Sequence, residues 1–191
     1  MKLMKIVCIA ILLTAVLAGC AKPPKAEMDA ATEAVTKAET DNDAVLYASN
    51  SLARARDALN RMQREADSKR YDAVKTYAAE AVSAAEKALA DGRAGAIRAR
   101  DEASALVSGL RPAILETEQG LRTAQSAGMN LDFPVLTRGL NEAKLSADQA
   151  EAALSGSRYQ EAMDKGRGAQ AALSDINRKL SDAVMAASRK K

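Results

Sequence analysis

The chain has 191 residues, with 28 Lys and Arg against 25 Asp and Glu for a formal net charge of +3, 3% aromatic residues, and neither histidine nor tryptophan. This near-neutral balance argues against a nucleic-acid or polyanion binder, whose domain is normally strongly basic. So few large side chains argue against a bulky globular core, and the absence of histidine removes the commonest general base and metal ligand.

The N-terminus reads Met1-Lys2-Leu3-Met4-Lys5, then an apolar run from Ile6 to Leu17, then small residues. That is the order of an export signal. The run is too short to cross a hydrocarbon core of roughly 30 Å, which takes about 20 helical residues. A signal peptide is therefore expected over residues 1–19. Leu17-Ala18-Gly19-Cys20 resembles the lipobox of bacterial lipoproteins. The resemblance implies that Leu17, Ala18 and Gly19 fit the signal peptidase, and that Cys20 receives a thioether-linked diacylglycerol and an N-acyl chain. No other cofactor is expected. More than one acyl chain makes such an anchor persistent where a single chain is marginal. Cys8 lies inside the signal, so the mature chain would hold no free thiol and no disulfide. Losing Lys2 and Lys5 lowers the formal charge from +3 to about +1.

Residues 20–25 form a lipidated tether in this reading, because Pro23 and Pro24 fix φ and lack amide donors. From Ala26 onward the sequence is that of an all-α protein. About a fifth of the chain is alanine, and Glu, Lys, Arg, Gln and Leu fill most other positions, all good helix formers. The first helix is predicted over Ala26 to Glu39, ending in Thr40-Asp41-Asn42-Asp43. The second starts near Ala48 with Leu52, Ala55, Leu59, Met62 and Ala66 on one stripe. A third begins near Tyr71 and continues past Gly92 and Gly95 to Leu110, where Pro112 ends or kinks it. The fourth runs from Pro112 to Ala127 and stops at Gly128. The fifth runs from Pro134 to Leu154, with proline tolerated in the first turn. After Ser155-Gly156-Ser157, the sixth extends from Arg158 to about Ser188. An elongated antiparallel bundle of about six helices is the expected architecture.

The pattern looks like three helices written twice, at a period of about 86 to 88 residues. Val35, Ala38 and Tyr47 match Leu121, Ala124 and Phe133 at the shorter offset. Leu52, Ala55, Ala66, Tyr71, Ala81 and Ala84 match Leu140, Ala143, Leu154, Tyr159, Ala169 and Ala172 at the longer. Ser68-Lys69-Arg70-Tyr71 and Ser157-Arg158-Tyr159 repeat a turn with an aromatic. The expected division is a first three-helix unit over 26–110 and a second over 112–191.

Cys20, the helix 26–39, the helix start Tyr47-Ala48-Ser49-Asn50-Ser51-Leu52 and the turn Ser68-Lys69-Arg70-Tyr71-Asp72-Ala73 together resemble a family of small bacterial lipoproteins. Members carry an alanine-rich helical domain of unknown function. The likeness covers Cys20 to about Leu106, with Ser49 where the family often has proline. It implies a lipoprotein facing the periplasm and brings no known activity. The chain is also similar to helical-hairpin repeats of the tetratricopeptide kind, without their large-residue signature.

No glycine-rich phosphate loop and no free cysteine nucleophile is present, so no enzyme is expected. The carboxylate pairs Glu116 with Glu118 and Asp41 with Asp43 read as solvated ends and loops, and no metal site is expected. Arg54, Arg56, Arg61, Arg64, Lys69 and Arg70 are interleaved with Asp57, Glu65 and Asp67, which favours local ion pairs over an anion patch. Tyr71, Tyr77, Tyr159 and Phe133 either plug gaps in the bundle or line a groove. Ser188-Arg189-Lys190-Lys191 offsets a helix dipole. A lipid-anchored helical chain ending in lysine also resembles the major murein lipoprotein of enteric bacteria, which would make Lys191 a point of peptidoglycan attachment. The expected function is a structural or protein-interaction lipoprotein of the cell envelope. The alternatives are a periplasmic peptide- or glycan-binding module, or a tether from membrane to peptidoglycan. The membrane, through the lipid, and an envelope protein or peptidoglycan are the expected partners. Ala21, where enteric bacteria use Asp to retain lipoproteins in the inner membrane, favours the outer membrane.

Overall fold

The structure, a computed structural model, describes residues 22–188. Among these there are six helices and no strand. They are α1 (Lys25–Thr40), α2 (Asn42–Tyr47), α3 (Ser49–Asp67), α4 (Tyr71–Ser126), α5 (Phe133–Ser155) and α6 (Tyr159–Ser188). The chain is an all-α helical bundle, and no helix among the described residues is long and apolar enough to cross a membrane.

Two compact units divide between Arg93 and Ala94, inside α4. The core of the first is built from Ala31, Val35 and Ala38 of α1, Leu52, Ala55, Ala58 and Met62 of α3, and Val74, Ala78, Ala81, Ala85 and Ala88 of α4. Most of these side chains are single methyls, each contributing under about 1 kcal/mol on burial. Cohesion therefore comes from helices approaching closely, not from large apolar groups. The second core draws on Leu110, Ile114 and Leu121 of α4, Leu136, Leu140 and Ala147 of α5, and Leu173, Ile176 and Leu180 of α6. It is richer in leucine and isoleucine. The buried residues of both cores lie between Ala31 and Leu180, so the chain from Ala21 onward contains all of them.

Two boundaries differ from the sequence expectation. The polar stretch after α1 is not a plain stop, because the Asp41 carboxylate accepts the Ala44 amide proton at 2.8 Å and starts the short helix α2. Pro112 does not end a helix: α4 runs through it to Ser126, so the expected third and fourth helices are one. Proline there deprives the Ser108 carbonyl of its donor, but Ser108 and Pro112 are both exposed and water can serve that group. Buried Val107, Leu110, Ile114 and Leu121 hold the helix on either side. As expected, Gly92 and Gly95 lie within the same unbroken helix. At Gly92 the reason is contact, since an added Cβ would stand 2.5 Å from the Ala44 backbone nitrogen. Glycine lets α2 cross α4 there.

The two units share internal detail. Residues paired by the repeat have matching burial: Val35 and Leu121, Leu52 and Leu140, and Ala81 and Ala169 are all buried. Ala66 and Leu154, like Ala84 and Ala172, are half-buried and packed against their respective cores. The turns also correspond. Lys69 and Ser157 both adopt left-handed φ, at 55° and 58°. The Arg70 amide donates to the Glu65 carbonyl, and the Arg158 amide to the Ala153 carbonyl, each at 2.9 Å. These six-residue closures satisfy orphan carbonyls at a helix end. Gly128, with φ 62°, ends α4 in a similar way, Met129 donating to Ala124.

Candidate interaction surfaces

The residues singled out for lipid attachment and processing, Leu17, Ala18, Gly19 and Cys20, lie outside the described residues, as does Lys191. The candidate sites of the described body are its surfaces.

Two of the aromatics act as packing. Tyr71 and Tyr77 lie partly buried against the first core, and the Arg61 guanidinium sits 6.0 Å from the centre of the Tyr77 ring. Phe133 packs against the second core and Tyr159 is half-buried. Of the basic residues on α3 and in the turn after it, Arg56 meets Glu39 and Arg70 meets Glu65, each at 2.5 Å. Arg54 instead lines an open cavity of about 190 Å³ with Ser51, Glu80, Ser83, Ala84 and Lys87. Beside it the Ser51 hydroxyl donates to Asp91, which also receives Lys87. Asp41 caps α2, and Glu118 is engaged by two cations, Arg122 and Lys144. No group of three or more metal-ligating side chains occurs among the described residues.

The second unit carries two grooves that inspection of the sequence missed. One, of about 390 Å³, runs between α4 and α6. Its lining includes Leu106, Gly109, Leu110, Gln170, Ser174 and Asn177, and none of its residues is charged. The other, about 440 Å³, lies between α4 and α5 and is rich in charge. There Arg111 makes a two-pronged bridge to Glu151, at 2.7 and 2.6 Å, and reaches Asp148 at 3.4 Å. Two turns along α4, Glu118 accepts from Lys144 at 3.1 Å and from Arg122 at 2.6 Å. The Arg111 hydrogen bond holds the Glu151 carboxyl below its ordinary range, and Lys144, then Arg122, do the same for Glu118. A sequence signal for these bridges exists only in part. Glu118 and Arg122 are four residues apart, but the α4-to-α5 partners are 26 to 40 residues away and need the fold.

The body is thus an alanine-rich helical bundle divided into two compact units. Residues 26–104 match the family described as a domain of unknown function (DUF4398). That region covers residues 26–93 of the first unit and residues 94–104 of the second. No curated protein and no solved structure matches the chain.

Proposed function

We propose that this protein is a lipid-anchored structural or docking component of the bacterial cell envelope, held at a membrane through Cys20 and without catalysis. The observation that supports it most is the order of the N-terminal sequence. A charged start and an apolar run lead to Leu17-Ala18-Gly19-Cys20, and the stiff Pro23-Pro24 tether follows before α1. Acyl chains would supply a hydrophobic grip, and no helix among the described residues is long and apolar enough to cross a membrane. Ala21 favours the outer membrane, with the helical body in the periplasm. The helical faces are then surfaces for envelope partners. Fractionation of cells tests the reading: the wild-type chain should sediment with membranes, and Cys20→Ala should remain unprocessed or be released. A wild-type protein recovered entirely in the periplasmic fraction would refute it.

A second reading, a periplasmic binding module for a peptide or glycan, is favoured by the uncharged groove between α4 and α6. Gln170, Ser174 and Asn177 offer amide and hydroxyl groups opposite Leu106 and Leu110. Titration of Gln170→Ala and wild-type protein with muropeptides, followed by amide NMR shifts, separates the two readings. A saturable response confined to this groove would favour the module.

A further inference from the structure

Leu115 stands in the α4 and α5 groove of the second unit with 60% of its surface exposed, next to Ile114, which is buried. Nothing among the described residues removes this large apolar group from water. The charges on either side of it are ordered in sign. At one end lie Arg111, Asp148 and Glu151, one cation with two carboxylates. At the other lie Glu118, Arg122 and Lys144, one carboxylate with two cations. The first end is net negative and the second net positive, by one charge each. Arg111, Leu115, Glu118 and Arg122 follow the three- and four-residue spacing of one helix face, so Leu115 lies between the two ends.

We propose that this face is a self-association surface, on which a second copy of the chain docks antiparallel about a two-fold axis at Leu115. The rotation lays the net-negative end of each copy on the net-positive end of the other and brings the two leucines together. A parallel docking would oppose like charges. An unrelated apolar partner would gain nothing from the alternation of sign, so a second copy is the occupant that the pattern fits. The ion pairs within each copy already hold the charged side chains in place, which reduces the ordering cost of docking. The inference does not depend on lipid attachment.

The test uses the chain from Ala21 onward, which contains both cores and has no cysteine. Sedimentation equilibrium should show a monomer that dimerises as concentration rises and dissociates as salt screens the charged ends. Leu115→Glu should weaken dimerisation by about tenfold or more while leaving the helical circular dichroism unchanged. Leu115→Cys should form an intermolecular disulfide on mild oxidation, since such a bond requires the two Cα atoms to lie within about 7 Å. Leu46→Cys, at a 66% exposed position in α2, should cross-link far more slowly. A monomer at every concentration, a dimer unaffected by Leu115→Glu, or equal cross-linking of the two cysteine variants would each overturn the proposal.

Discussion

Alanine in place of Gly92 and in place of Gly109 separates close packing from helix propensity, because both glycines sit inside α4. On propensity alone each substitution should stabilise the helix by up to about 1 kcal/mol. At Gly109 nothing lies within 4 Å of the new methyl, so most of that gain should appear. At Gly92 the methyl would stand 2.5 Å from the Ala44 nitrogen and 2.7 Å from both the Ala44 Cα and the Asp43 carbonyl carbon. All three are backbone atoms, so no side chain can swing aside. The helix α2 must lift, uncovering Ala44, which is fully buried. Overpacking of this kind costs about 1–3 kcal/mol, which outweighs the propensity gain. Gly92→Ala should therefore lose about 1–2 kcal/mol overall, and Gly109→Ala should gain about 0.5–1 kcal/mol. Urea unfolding followed by far-ultraviolet circular dichroism on the chain from Ala21 measures both. A Gly92→Ala protein as stable as wild type would refute the claim that α2 crosses α4 at that glycine. Gly166 is an internal control: its new methyl closely meets only the side chain of Leu106, Cδ2 at 2.8 Å and Cγ at 3.0 Å, and a side chain can move where backbone cannot.

Further outcomes follow from the paired turns, the alanine core and the exposed ion pairs. Lys69→Gly and Ser157→Gly should each stabilise by about 0.5–1 kcal/mol, because an L side chain at left-handed φ costs about 1–2 kcal/mol; thermal unfolding checks this. Ala81→Leu and Ala169→Leu, at equivalent fully buried positions, should each destabilise by about 1–3 kcal/mol by overpacking, read in the same urea assay. Met62, 1% exposed, should cost about 2–5 kcal/mol on truncation to alanine. Glu118 and Glu151 are held below their ordinary value of 4.5, so their contribution is present above that pH and is lost as acid protonates them in the folded state. The melting midpoint should fall on acidification below about 4.5, and Glu118→Gln, already lacking one of these charges, should fall less.

Much of the helical content was legible because it follows from composition and three- and four-residue spacing. Leu52, Ala55 and Met62 are buried where that spacing placed them, and the turn at Ser155-Gly156-Ser157 is where small residues interrupt it. Pro112 misled because its usual effect presumes a carbonyl with no other partner, whereas Ser108 faces solvent. The helix α2 was missed because its signal is one capping carboxylate, Asp41, inside a stretch that otherwise reads as loop. Leu115 could be placed on a helix from sequence, but its exposure depends on where α5 lies. The same holds for the Arg111 bridge to Glu151, 40 residues away.

The measurement that bears most directly on the envelope reading is the intact mass of the protein purified from membranes with detergent. The expected result is a chain that starts at residue 20 and carries a diacylglycerol and a further acyl group on that cysteine, with the first nineteen residues gone. A mass equal to the full translated sequence, or a chain starting at Cys20 without lipid, would contradict it.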